Sequence, residues 1–225
     1  ENLAAEQQSL RQAARNANDG ISVIQTAEGA TNEVSDILKR MRELAIQSSS
    51  ETLANSERAY IQDEYGQLAE EVDRIAAVTN FNGVNLANGS KGTLDVQVGI
   101  FNTSDDRIAI QLGDLRATSL GVDAANINMA SAASSQAALT ALDSAIDSIN
   151  SIRSDYGSVQ NRLESSLNNL RVYTENLAGA ESRIRDADFA FETAQMSKYQ
   201  TMQQAGVAIL GQANQLSQGA LRLIQ

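Results

Sequence analysis

Apolar residues recur with a helical period over most of the chain. From Leu3 to about Gln47 they follow steps of three, four or seven, and the stripe keeps its phase across the turn-like triplet at 18–20. The pattern predicts one long helix over about 1–48. A second segment, 55–78, has apolar residues at alternating steps of four and three, which is a heptad seam. Its members are Ile61, Tyr65, Leu68, Val72 and Ile75.

The period falls to two in the glycine-rich window 79–128, which holds six of the fourteen glycines. Alternating apolar positions run over 94–100 and again over 108–112, on either side of a polar turn at 102–106. The alternation predicts a β-hairpin. The asparagines and glycine of the motif NFNG at 80–83 predict the turn that ends the second helix.

The helical period returns over about 129–178, and the weakest part of the following stretch, 179–186, is predicted as a joint. A last amphipathic helix follows, and its polar face is made of glutamines with little charge. Such a face suits packing against other helices, so this tail is a candidate assembly surface. We therefore divide the chain into a core domain at 1–178 and a joint with a terminal helix at 179–225.

The absence of proline strengthens the prediction of long helices, since a proline inside a helix costs about 3 kcal/mol. Aromatic residues make up only 4% of the 225 residues, and the apolar positions are mostly Ala, Leu, Ile and Val. These side chains suit thin helix seams. The predicted fold class is mainly α, an elongated rod of long antiparallel helices in a coiled-coil-like bundle, with a small β-hairpin region capping one end and a C-terminal amphipathic helix.

Composition excludes several kinds of chemistry. The chain has no cysteine and no histidine, which removes thiolate nucleophiles, disulfides, imidazole bases and ordinary zinc or haem sites. A net charge of −11 argues against nucleic acid as a partner, and no apolar run is long enough to insert into a membrane. Neighbouring carboxylates do not share a helix face, and the turn 102–106 lacks the glycine and glutamate of a calcium loop. We expect no enzyme activity, no metal and no cofactor.

One basic cluster stands out in this acidic chain: Lys39, Arg40 and Arg42. It fits an exposed, solvated helix face, which is the common outcome for a charge run. It also fits a recognition patch that presents guanidinium donors to carboxylates.

Three blocks of sequence resemble bacterial flagellin. They are RNANDGISVIQTAEGATNEVSDILKRMRELAIQSSS at 15–50, DEYGQLAEEVDRIAAVTNFNGVNLANG at 63–89, and the tail from NLAGAESRIRDADFAFETAQMSKYQ at 176 to the last residue. The blocks cover about half of the chain and keep the order and spacing of that family.

The resemblance implies a secreted structural subunit of the flagellar filament, located outside the bacterium or at its surface. Subunits of this family stack through their core domains and pair their terminal helices in an inner coiled-coil tube. They are exported unfolded by the flagellar type III apparatus. The implied partners are further copies of the chain, an export chaperone, the filament cap and hook-associated proteins, and the host Toll-like receptor for flagellin.

Two departures from the family are expected to matter. The family's N-terminal helix, which pairs with the tail, is missing before Glu1, and the variable outer region is reduced to 90–128. We expect the terminal helix to keep an unpaired apolar stripe. We also expect that the chain does not form filaments alone.

The resemblance also assigns surfaces. Its receptor motif, on a face that makes protofilament contacts in the family, matches at Arg40, Leu44, Gln47, Ile61 and Glu64. Arg40 and Glu64 are expected to be polar anchors and Leu44 an apolar one. The assembly and chaperone-binding tail is expected to use Met196, Tyr199, Met202, Ile209, Leu216, Leu221, Leu223 and Ile224.

Two alternatives remain open from the sequence. A hook–filament junction protein shares terminal helices with flagellin, although the block RMRELAIQ followed by NFNG favours flagellin itself. A flagellin-like adhesin or carbohydrate-binding protein at the cell surface would bind a ligand through the hairpin region without assembling.

Overall fold

The computed structural model describes residues 2–185 and 189–224, with side chains described over 3–183 and 191–213. The chain divides into two compact units, Glu1–Glu175 and Asn176–Gln225. The helices are α1 (Asn2–Ser48), α2 (Asn55–Val78), α3 (Ala117–Leu120), α4 (Ala132–Arg185) and α5 (Phe189–Ile224). The strands are β1 (Asn80–Phe81), β2 (Val84–Asn85), β3 (Thr93–Gln97) and β4 (Arg107–Gln111).

The predicted fold class is confirmed: long helices dominate, and the strands form two small antiparallel sheets, β1–β2 and β3–β4. α1 passes through 18–20 without a break, because the apolar stripe stays in phase there. The predicted joint differs from the structure, since 179–185 continue α4; Asp186 lies outside the described residues.

Helices α1 and α4 run antiparallel along the first unit. Ser135 Oγ lies 3.0 Å from Ser48 Oγ at one end of the pair, and the Tyr173 hydroxyl donates to Glu6 at 2.8 Å near the other. Between them, Arg42 of α1 bonds Asp143 of α4 at 2.6 Å. At 1.5 Å per residue the helices stay in contact over about 60 Å.

Helix α2 covers the half of this pair that lies near Ser48. The heptad seam points inward, and Tyr65 and Val72 are fully buried in a cluster that also contains Leu38, Met41 and Leu142. Each fully buried Leu, Ile or Val contributes about 2 kcal/mol of hydrophobic free energy, so this first core cluster explains why α2 is held against α1. The Tyr65 hydroxyl donates to the Val122 carbonyl oxygen at 2.8 Å, which ties the segment before α4 to the same cluster.

The β3–β4 hairpin covers the part of the α1–α4 pair that lies beyond the end of α2. Val96 and Ile110 pack with Ile24 of α1 and with Tyr156 and Leu163 of α4 in a second core cluster. The expectation that the hairpin caps one end of the bundle is therefore wrong: it lies along the flank of the α1–α4 pair. The reason is that α2 is only 24 residues long and leaves the rest of the α1–α4 seam to be covered.

A glycine in the middle of α1 allows the hairpin to approach. A Cβ at Gly20 would lie 3.1 Å from Val96 and 3.3 Å from Leu163. Glycine costs about 1 kcal/mol in a helix relative to alanine, so close packing gives a physical reason for its presence here.

The turn between α1 and α2 is held by a buried cation. Arg58 is 4% exposed and donates to the Ser50 carbonyl oxygen at 2.7 Å, while its buried Nε has no hydrogen-bond partner among the described residues. α1 has no basic residue in its own last turn. Arg58 supplies the positive charge that favours a helix C-terminus.

Candidate assembly and recognition surfaces

The five residues matched to the receptor motif divide into an exposed group and a buried group. Arg40 on α1 and Glu64 on α2 form an ion pair across the two helices, with Arg40 Nη2 at 2.8 Å and Nε at 3.2 Å from the same carboxylate oxygen. Arg40 Nη1 also donates to Glu43 at 3.0 Å. The pKa of Arg40 is raised, first by the hydrogen bond with Glu64 and then by that with Glu43.

Two expected contact residues are not on the surface. Leu44 is 1% exposed and Ile61 is 7% exposed, and both belong to the first core cluster. The expectation that Leu44 is an apolar surface anchor is therefore wrong. Leu44 lies on the side of α1 that packs against α2. Gln47 is exposed. Leu44 and Ile61 therefore support the face from beneath, whereas Arg40, Gln47 and Glu64 form it.

The sequence did not predict two exposed apolar residues, one on α1 and one on α2. Ile46 is 48% exposed and Tyr60 is 74% exposed. The signal for Ile46 was available in the sequence, since it falls outside the three-and-four stripe of α1. Tyr60 precedes a seam residue and carries a polar hydroxyl, so its pattern resembled an ordinary surface position. We call Arg40, Gln47, Tyr60 and Glu64 the α1–α2 face.

The basic cluster on α1 is neutralised by the chain's own carboxylates. Lys39 pairs with Asp36 at 2.8 Å, Arg40 with Glu43 and Glu64, and Arg42 with Asp143 at 2.6 Å. The pKa of Arg42 is raised by its hydrogen bond with Asp143. All four ion pairs are substantially exposed, so salt screens them and they add little to stability. A partner that binds this cluster meets ion pairs rather than free cations.

The second unit presents an apolar arc on α5. Met196, Tyr199 and Met202 lie one turn apart, and Ile209 extends the arc by two further turns. Each is 49–66% exposed, as are Phe191, Val207 and Leu210. Leu216, Leu221, Leu223 and Ile224 fall within the helix, but their side chains lie outside the described part of the chain.

Neither a cluster of metal-ligating side chains nor a membrane-spanning helix occurs among the described residues. Within 2–185 and 189–224, no three His, Cys, Asp or Glu side chains lie close enough together to share a metal ion. None of the described helices combines the length and the hydropathy that crossing a bilayer requires.

Comparison with known proteins points to one family at both ends of the chain. The family model for the bacterial flagellin N-terminal helical region matches residues 1–92, and that for the C-terminal helical region matches 139–224. The flagellin of Halalkalibacterium halodurans is 41% identical over 225 residues, which cover 100% of this chain and 82% of that protein. The flagellar filament core protein flaB2 of Brachyspira hyodysenteriae is 39% identical over 236 residues, covering 100% of this chain and 83% of that protein.

A solved structure agrees with these matches. The crystal structure of Bacillus cereus flagellin superimposes with a TM-score of 0.60 at 31% sequence identity. The match covers 69% of this chain and 88% of that chain.

Proposed function

The chain belongs to the bacterial flagellin family and is a structural subunit of the flagellar filament, and we propose that it contacts its neighbours through two surfaces. The first is the apolar arc of α5, which packs against terminal helices in the inner tube of the filament. The second is the α1–α2 face, which contacts the core of another copy.

Assembly through the apolar arc is supported by the exposure of seven large apolar side chains in the described part of α5. They are Phe191, Met196, Tyr199, Met202, Val207, Ile209 and Leu210. A helix gains most of its stability in water from burying an apolar face against a partner. Patches of this kind mark protein interaction sites. A helical partner that covers the arc supplies that burial.

The α1–α2 face has the composition of an interface. Tyr and Arg are the residues most often found at binding hot spots, and Tyr60 and Arg40 project from neighbouring helices that the first core cluster holds rigid. The same face serves recognition by the host Toll-like receptor for flagellin. There Arg40, Gln47 and Glu64 are the polar contacts.

The proposed function also includes export from the cell and contact with the proteins at the two ends of the filament. The subunit leaves the cell through the type III apparatus with an export chaperone on its tail, and it joins a filament bounded by cap and hook-associated proteins outside the cell. The sequence has neither cysteine nor proline. Refolding at the filament tip therefore meets no disulfide exchange and no slow prolyl isomerisation.

A charge placed in the arc tests its role in assembly. In cells that carry the variant gene in place of the parent gene, Ile209→Glu is expected to abolish filaments, because a carboxylate buried between helices costs several kcal/mol. The readout is the filament yield after shearing, sedimentation and electron microscopy. The matched control is Gln204→Glu, which adds the same charge to the same helix outside the arc.

The control is expected to give filaments of parental length. Normal filaments from the Ile209→Glu strain would show that the arc is not buried in the assembly. Equal loss in both strains would trace the effect to added charge on α5 in general.

A further inference from the structure

The chain contains two Asn-Gly dipeptides only six positions apart, Asn82–Gly83 and Asn88–Gly89. In this dipeptide the glycine nitrogen meets little steric hindrance when it approaches the side-chain amide of the asparagine. The dipeptides are chemically identical and only their flanking residues differ, so reaction in the unfolded chain is the reference against which the effect of the structure is measured.

Asn82 and Gly83 form the two-residue turn between β1 and β2. Their φ angles are +50° and +80°, close to those of a type I′ turn, and both residues are exposed. The Asn82 side chain makes no hydrogen bond with any of the described residues. Apart from Gly83 itself and its two chain neighbours, no heavy atom of the described residues lies within 4 Å of the position that a Cβ would occupy on Gly83. The turn closes two residue pairs, Asn80–Asn85 and Phe81–Val84, and the Leu86 N–H bonds the Thr79 carbonyl oxygen at 3.0 Å beyond them. None of these contacts uses the Asn82 side chain, which stays free to turn towards the Gly83 nitrogen.

Asn88 and Gly89 are restrained by contacts with Ser90 and with the backbone and carboxylate of Asp114. The Asn88 side-chain oxygen accepts a hydrogen bond from the Ser90 N–H at 3.0 Å, and the Asn88 backbone is bridged to Asp114. A Cβ on Gly89 would lie 2.5 Å from the Asp114 carboxylate, which is itself bonded by Arg116 and Ser119. Rotation of the Asn88 side chain towards the Gly89 nitrogen therefore requires these contacts to break.

We propose that Asn82 is a site of spontaneous deamidation, and that Asn88 is protected from the same reaction by its contacts with Ser90 and Asp114. The Gly83 backbone nitrogen loses its proton to a solvent base and attacks Asn82 Cγ. The new C–N bond closes a succinimide ring and ammonia leaves with the side-chain nitrogen. Water then adds to one of the two ring carbonyls and opens the ring, which yields either aspartate or isoaspartate without any change of oxidation state.

Each product changes the surface at this turn. Asn82 lines a groove of about 370 Å³ between α1 and the strands, where Asp19 and Asp95 already lie. Deamidation adds a third carboxylate to this groove. Isoaspartate also moves the main chain through the former side chain and lengthens the backbone of the turn, so the two-residue register of β1 and β2 is lost.

The test incubates the whole folded chain in mildly alkaline buffer and follows the peptide that contains both asparagines by tandem mass spectrometry. Replacement of the amide NH₂ by OH raises the mass of the modified residue, and separate peaks distinguish aspartate from isoaspartate. The strength of one intramolecular hydrogen bond corresponds to about a fivefold change in rate, so Asn82 is expected to react at least about fivefold faster than Asn88.

Two controls make the structural argument specific. In denaturant the two sites are expected to react at nearly equal rates, since the contacts around Asn88 are lost. Asp114→Ala in the folded chain is expected to accelerate Asn88 and leave Asn82 unchanged. Equal rates in the folded chain would overturn the proposal. So would an Asn82 that stays unmodified when folded but reacts in denaturant, because the turn would then be protective.

Discussion

Arg40 illustrates how one side chain can serve both its own fold and a partner. Its guanidinium holds Glu64 and Glu43 while remaining 50% exposed, so donor capacity is left for an approaching group. Removing it also releases Glu64 from its partner on α1. A substitution at this position therefore changes the charge pattern of the whole α1–α2 face without touching the core beneath.

Arg40→Ala is expected to weaken activation of the Toll-like receptor for flagellin by about tenfold or more, as is usual for an arginine at a hot spot. The measurement is the dose response of receptor-bearing reporter cells. Lys39→Ala is the matched control, since Lys39 is an exposed neighbouring cation whose one bond to the described part of the chain is with Asp36. A parental dose response for Arg40→Ala, or an equal loss for Lys39→Ala, would contradict the assignment.

The sequence predicted which residues of the α1–α2 face match a family motif, but not which of them are exposed. Matching residues to a family motif does not distinguish side chains that touch a partner from those that hold the contact residues in place. Leu44 and Ile61 belong to the second kind, and the apolar stripe of α1 and the heptad seam of α2 already implied their burial. Tyr60 was missed because its exposure depends on how α1 and α2 pack against each other. The apolar pattern of one helix does not contain that information.

At the scale of elements, the connection from β4 to α3 depends on Asp114. Its carboxylate accepts from Arg116 Nη2 at 2.6 Å and from the Ser119 hydroxyl at 2.5 Å. These contacts lower the pKa of Asp114 to about 2, with the hydrogen bond from Arg116 as the largest cause. The depressed pKa means that ionised Asp114 stabilises the folded chain above its unfolded pKa, and that this stability is lost as pH falls towards 2.

Asp114→Asn is expected to lower the free energy of unfolding by about 1–2 kcal/mol at neutral pH, with a difference from the parent that shrinks between about pH 4 and pH 2. Urea titrations over this range measure it. Asp105→Asn is the control, because Asp105 is exposed and bonds none of the described residues. A difference that stays constant with pH would show that Asp114 acts through shape rather than charge.

Periodicity predicted the long helices and the β3–β4 hairpin because each is defined by local spacing. It did not predict β1 and β2, which have two residues each, or the position of the hairpin on the flank of α1 and α4. That position follows from the length of α2 relative to its partners. The clue within α1 was Gly20, whose missing side chain admits Val96.

Over the first unit as a whole, two core clusters share the same two helices. α1 and α4 contribute to both, whereas α2 enters only the first cluster and the β3–β4 hairpin only the second. Because each shared helix is stabilised by both clusters, the unit is expected to unfold in one step. Tyr65 and Tyr156 are buried in the first and second cluster respectively and report on each separately.

Ile110→Ala is expected to cost about 2–5 kcal/mol and to shift the loss of both tyrosine signals to the same lower urea concentration. Ile61→Ala is the matched change in the first cluster and is expected to shift both signals in the same way. The readout is NMR of ring-labelled tyrosine. Loss of the Tyr156 signal before the Tyr65 signal in Ile110→Ala would show that the clusters unfold independently.

The antiparallel pairing of α1 with α4 also restricts how chains of this kind can change in length. The contacts between Ser48 and Ser135, between Arg42 and Asp143, and between Glu6 and Tyr173 fix one helix against the other along the pair. One residue inserted into either helix would turn everything beyond it by about 100° and carry its apolar stripe away from the seam. Growth or shortening in evolution and in design must therefore come as whole heptads added to or removed from both helices together. Single insertions are confined to the connections, such as the exposed part of the hairpin loop at 101–105, where no second helix has to follow.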